Sequence, residues 1–141
     1  MTGREAEPPA FYISEVILLT IQEAITQADD LQRNTYTIEH KVTWLSRLED
    51  MVKKQVIDLH EGAEDAGFEP VTGSTDMSHV LFIPAPYDEA YIHWICAQVN
   101  YNNNELDRYN ASITMFTSLF EAFKREYTRQ HKPLNQGRFR F

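Results

Sequence analysis

The strongest constraint on the fold is a run of seven large side chains near the C-terminus. Leu106, Tyr109, Ile113, Phe116, Phe120, Phe123 and Tyr127 step alternately by three and four residues. That spacing puts all seven on one side of an α-helix, and no strand can gather them on one face. It predicts a helix from Asn104 to about Gln130. At ~1.5 Å per residue such a helix is roughly 40 Å long. A compact chain of 141 residues has a diameter of roughly 35–40 Å. The expectation is that the end of this helix, carrying Pro133 to Phe141, projects from the body.

The rest of the chain reads as further helices around a long connection. Ser14 as N-cap, Glu15 in the first turn, and Ile17, Ile21, Ala24, Ile25 and Ala28 at helical spacing predict a first helix over 14–28. Thr37 then precedes a stripe of Ile38, Val42, Leu45, Leu48, Val52, Val56 and Leu59, predicting a second helix over 38–60 with Gly62 as its C-terminal cap. Trp44 lies off this stripe, which assigns it to contact with another element or another subunit. Residues 61–79 form a loop rich in glycine and carboxylates, of a length that compact domains reserve for a purpose. Val80-Leu81-Phe82-Ile83 is β-prone and bounded by Pro84 and Pro86, which suits either an isolated strand or an anchor that returns the chain to the core; no partner strand is visible in the sequence, and if the segment pairs, a neighbouring subunit is the candidate partner. Pro86, Asp88 and Glu89 suit the first turn of a third helix, whose aromatic face is Tyr87, Tyr91 and Trp94. Asn102 to Asn104 mark a break before the last helix.

The predicted fold is therefore all-α: about four helices in a small bundle, a long central loop with a short β-prone segment, and an extended C-terminal arm. The divisions are a flexible N-terminus at 1–10, a helical domain at 11–131 and the arm at 132–141. Trp44, Tyr87, Tyr91, Trp94, Tyr109, Phe116, Phe120 and Phe123 are assigned to the core or a subunit interface.

Motifs for chemistry are weak. The sequence has no phosphate-binding glycine loop, no H-E-x-x-H and no C-x-x-C. His93 and Cys96 share a helix face with Glu89 one turn earlier, but a metal site needs another ligand from unrelated contexts, and a Cys-His nucleophile needs an oxyanion donor. The carboxylate pairs Asp29-Asp30, Glu49-Asp50, Glu64-Asp65 and Asp88-Glu89 diverge by about 100° on a helix and are expected to be solvated. The expectation is a protein that is not an enzyme and takes no cofactor or metal. No aliphatic run approaches the ~20 residues a membrane span needs. No apolar leader follows Arg4, and the single Cys96 suits a reducing cytosol.

Charge is unevenly spread. Residues 1–119 hold 7 basic and 19 acidic side chains, a net −12, whereas residues 120–141 hold 6 and 2, a net +4. An acidic body repels phosphate and a basic end suits contact with an acidic surface. Cations near a helix C-terminus also complement its dipole, which accounts for Lys124 to Lys132 but not for Arg138 and Arg140 beyond Gly137. Arg138-Phe139-Arg140-Phe141 alternates cation and aromatic, a pattern suited to anchoring on a partner.

Five motifs in order carry a family resemblance. They are Asn34-Thr-Tyr-Thr; Lys41-Val-Thr-Trp44-Leu45-Ser-Arg-Leu48-Glu49; Pro84-Ala-Pro86-Tyr87-Asp88-Glu89-Ala-Tyr91; Ala97-Gln98; and Glu105-Leu-Asp-Arg108-Tyr109-Asn110 followed by Met115-Phe116. Over about residues 14–133 the chain resembles the head-tail connector, or adaptor, proteins of tailed phages and prophages of Gram-positive bacteria. The resemblance implies a structural virion protein, assembled in the host cytoplasm, that forms a ring, typically of twelve copies, under the portal protein. Such a ring joins the filled head to a tail-side connector or stopper, and double-stranded DNA passes through it without specific binding. It further implies that a C-terminal extension docks on the portal. Leu134 to Phe141 matches no motif of the family, so that role falls to Arg129, Lys132, Arg138, Phe139, Arg140 and Phe141 by composition and position. The alternative reading is a small cytosolic interaction module that dimerises through the seam of the last helix.

Overall fold

The seven-residue seam folds as expected. The computed structural model describes residues 16–134, and in them the seam lies on α4 (Leu106–Gln130), the last of four α-helices. The others are α1 (Ile21–Leu31), α2 (Ile38–Gln55) and α3 (Glu89–Asn102), with 3-10 turns at Ile57–Leu59 and Ala63–Asp65. Among the described residues there is no sheet, only two isolated antiparallel bridges. The fold is all-α. Among the described residues, no helix is long and apolar enough to cross a membrane.

α3 is the central helix and packs against α1, α2 and α4. Its composition explains that place: Ala90, Tyr91, Ile92, Ile95, Cys96, Ala97, Val99 and Asn100 are all buried, so little of its circumference is left to face water. α4 returns along α3 as a hairpin and buries Phe116, Phe120, Phe123 and Tyr127. The near half of its seam is open: Leu106 is exposed, while Tyr109 and Ile113 are half-buried. The break before α4 falls where the asparagines predicted. Asn104 adopts φ 60°, the left-handed region that asparagine tolerates, and the Glu105 amide donates to the Asn100 carbonyl at 2.9 Å.

The first helix begins later than the spacing predicted. Residues 14 and 15 lie outside the described residues, and 16–19 are extended rather than helical. The helix starts at Ile21 behind a capping box: Thr20 Oγ1 accepts from the Glu23 amide at 3.0 Å, and Glu23 Oε1 accepts from the Thr20 amide at 2.9 Å. The Ile21 and Gln22 amides donate to the His79 and Met77 carbonyls, so the long loop satisfies donors that the helix cannot. What holds 16–20 extended is the β-prone segment of the same chain. Thr20 bridges antiparallel to Val80, the Leu81 amide donates to the Leu19 carbonyl at 2.8 Å, and the Ala85 amide to the Ile17 carbonyl at 3.0 Å. The segment therefore pairs within its own chain, through an isolated bridge, and not with a neighbouring subunit.

Three further expectations change. α2 ends at Gln55 rather than 60, because Val56 leaves the helical region at φ −124°, ψ −65°. Gly62, in the left-handed region at φ 83°, therefore turns the chain into the second 3-10 turn and does not cap α2. Pro86 sits in a cis peptide within a turn, three residues before α3 begins. The end of α4 is held to the body as far as Leu134, and the rest of the predicted arm, 135–141, lies outside the described residues. The Glu61 amide donates to the Lys132 carbonyl at 2.8 Å, His60 bridges to Pro133, and the Leu134 amide donates to the Leu59 carbonyl at 3.0 Å. The arm predicted at 132–141 thus begins pinned to the body.

Candidate functional site

The aromatic residues assigned to a core or an interface divide in the fold. Trp44, Tyr91, Phe116, Phe120 and Phe123 are buried within the chain, and Tyr87 and Trp94 pack partly buried against them. Trp44 packs edge-on with Tyr36 at 5.5 Å between ring centres, and its carbonyl accepts from Trp94 Nε1 at 2.8 Å. It contacts other elements of its own chain, one of the two expected outcomes. Tyr109 alone lies toward the surface, against Tyr101 at 5.6 Å. Tyr101, Leu106 and Met115 are exposed around that end of the α3–α4 hairpin.

At the centre is a polar hub that sequence reasoning missed. Glu49, 1% exposed, accepts from the Tyr91 hydroxyl at 2.6 Å through Oε1 and from the Phe82 amide at 2.9 Å through Oε2. The Tyr91 oxygen in turn accepts from the Ile83 amide at 2.8 Å. One carboxylate and one phenol therefore tie α2, α3 and the 80–85 segment together. Burial pushes the Glu49 carboxyl up to about 7, against the lowering effect of its two donors. Burial, with the Glu49 charge beside it, holds the Tyr91 hydroxyl well above its usual range.

A carboxyl with a raised pKa beside a cleft is the kind of group that performs acid-base chemistry. The cleft next to Glu49 has a volume of about 340 Å³ and is also lined by Glu69, His79 and Phe82. Both Glu49 oxygens, however, are taken by internal donors, so the group is placed to clamp segments rather than to meet a substrate. The expected solvation of the carboxylate pairs fails at Glu49, whereas Asp29 keeps a partly exposed side chain while engaging its neighbours. Asp29 pairs with buried Lys41 at 2.9 Å and accepts from Asn34 at 3.0 Å. A signal was present for both partners. Lys41 and Glu49 each lie four residues from Leu45, on the face of the apolar stripe rather than opposite it.

The other polar groups are likewise engaged. His60, buried, contacts the Val56 carbonyl at 2.6 Å and Thr128 Oγ1 at 2.9 Å, fastening the end of α2 to the end of α4. Asn100, buried, accepts from Gln32 and donates to Ser112 Oγ at 3.3 Å. Cys96 Sγ lies 3.9 Å from the Ala28 carbonyl, and burial raises its thiol pKa, which keeps it from the reactive thiolate form. His93 lines a separate cleft with Asp30 and Glu89, and burial lowers its pKa. Among the described residues, no group of three or more His, Cys, Asp or Glu is placed to hold a metal ion.

Of the residues assigned to the arm, Arg129 lies on the last turn of α4, paired with Glu126, and Lys132 is exposed just beyond it. Arg138, Phe139, Arg140 and Phe141 lie outside the described residues. Comparison with protein-family models, curated proteins and solved structures finds no match to the chain.

Proposed function

We propose that this chain is a structural head-tail adaptor of a tailed phage or prophage and has no catalytic role. Copies of it, typically twelve, assemble as a ring beneath the portal protein, join the DNA-filled head to a tail-side connector or stopper, and line the channel. Its place is the head-tail interface of the virion. The observation that carries this reading is where the motifs of the resemblance fall. Asn34 and Thr37 form the turn and the cap that start α2. Lys41 and Glu49 are its buried charges, and Tyr91 completes the hub. Glu105 and Tyr109 open α4 beside Tyr101. Several residues of the motif series thus serve the architecture rather than a reaction, which supports a structural role.

Two further features support the reading. The −12 body suits a channel wall over which duplex slides without being gripped. The exposed Tyr101, Leu106 and Met115 offer apolar area for a lateral contact between subunits. The alternative of a dimer through the α4 seam has lost most of its surface, because Phe116, Phe120, Phe123 and Tyr127 are buried against the chain's own core.

The docking role of the tail is tested by a deletion that respects the pinned residues. Removing 135–141 leaves the His60–Pro133 and Leu59–Leu134 pairings in place. Association with the portal protein of the same phage, followed by co-purification, is expected to weaken at least ~10-fold, a loss of about 1.4 kcal/mol or more, with helical content unchanged. Unaltered co-purification contradicts the docking role.

A further inference from the structure

The outer face of α4 departs from the rest of the surface in its charge. Asp107, Ala111, Thr114, Ser118, Glu121 and Arg125 step by four, three, four, three and four residues, a second stripe on the side of the helix away from the aromatic seam, and all six are exposed. Residues 109–120 hold no Lys, Arg, Asp or Glu, although 24% of the chain is charged. A solvated helix face ordinarily carries charge, and the centre of a contact surface loses it.

Charge returns at the two ends of this stripe with opposite sign. Asp107 stands in the first turn of α4 and Arg125 lies 18 residues further on. The ion pairs among the described residues engage neither of them. Two copies laid antiparallel with 107 opposite 125 also set 111 opposite 121 and 114 opposite 118. Each Asp107 then meets the partner's Arg125, at both ends of the contact, whereas a parallel pair would set like charges together. The small Ala111, Thr114 and Ser118 let the two backbones approach. Glu121, facing Ala111, is already paired with Lys124 of its own chain at 3.0 Å. Elsewhere the net charge of −8 sets copies of the chain against one another. The stripe runs about 27 Å from Asp107 to Arg125, a single-helix contact that belongs to the small, reversible class.

We propose that the outer face of α4 is a self-association surface, on which a second copy of this chain docks antiparallel about a two-fold axis through reciprocal Asp107–Arg125 ion pairs. Such a pair closes on itself, so it is a form of the free protein and not the lateral contact of a ring. The inference does not rest on the adaptor reading.

The test is sedimentation equilibrium of the full chain at low salt, from micromolar to millimolar concentration, where a reversible monomer–dimer equilibrium is expected. Asp107→Arg and Arg125→Glu each set like charges together at both ends and are expected to weaken the dimer at least ~10-fold, with unchanged circular dichroism. Mixed with each other, the two variants restore opposite charges at both ends, and the mixture is expected to associate within ~3-fold of the unaltered chain. A chain that stays monomeric at millimolar concentration, association that both variants leave unchanged, or a mixture that associates no better than either variant alone would each overturn the proposal.

Discussion

Glu49 concentrates the chemistry of the core in one side chain. Its carboxyl is raised from 4.5 to about 7 in the fold, so between those values the folded state holds a proton that the unfolded state has released. Stability from this group is fully present below 4.5 and is lost as pH rises through about 7. The contribution is on the order of 3 kcal/mol across the window. Urea unfolding at pH 5.5 and pH 8 is expected to show the greater stability at pH 5.5, with the difference much reduced in Glu49→Gln. A pH dependence that survives the substitution would show that another group sets it. Asp76 and Glu126 have lowered pKa values from local hydrogen bonds and act oppositely, losing stability only as pH falls below the ordinary carboxylate range. At this scale the sequence disclosed residue types better than their environments. Phe116, Phe120 and Phe123 were legible as core because their spacing is local. Glu49 was not, because its neighbour Asp50 made the pair look solvated and its partners Phe82 and Tyr91 are 33 and 42 residues away.

Elements were legible where local pattern alone decides them. The seam of α4 and the asparagine break before it depend only on neighbours, and both lie where the spacing puts them. The start of α1 depends on Val80 to Ala85, some sixty residues on, and was misplaced. Ile17 and Ile21 have helical spacing, but the backbone of 16–20 is claimed by the 80–85 segment, and helix formation waits for the Thr20 capping box. Thr20→Ala is expected to cost about 1 kcal/mol, seen as a melting temperature lower by about 4 °C. At the α3–α4 junction, Asn104→Gly is expected to be near neutral, whereas Asn104→Val is expected to cost about 1–2 kcal/mol because a β-branched residue resists the left-handed region. Equal stability of the two variants would remove the argument for why an asparagine stands there. The loop 61–79 shows the same logic from the other side. Its His79 and Met77 carbonyls receive the first amides of α1, and buried Val71 anchors it, so its length serves to carry acceptors to a helix start.

At the scale of the whole molecule, the comparison of helix length with body width misplaced the first residues of the predicted arm, Pro133 and Leu134, for a physical reason. α4 is indeed about 37 Å long, yet its end is covered, because the 3-10 turn after α2 brings Leu59 to Glu61 alongside Lys132 to Leu134. The basic end of the chain is thereby divided: Lys124, Arg129 and Lys132 belong to the body, and the four-residue Arg-Phe-Arg-Phe terminus lies beyond the pinned point. The proposed adaptor then consists of a rigid helical body with its carboxylate-rich surface and a short basic terminus offered to a neighbouring ring. The most direct measurement of that account is electron microscopy of particles formed when the full chain is co-expressed with the portal protein of the same phage. The account predicts a closed ring of copies of this chain stacked coaxially on the portal, with its helical bodies around an open channel. Portal particles that carry no added ring, under conditions where both proteins are folded and abundant, would contradict it.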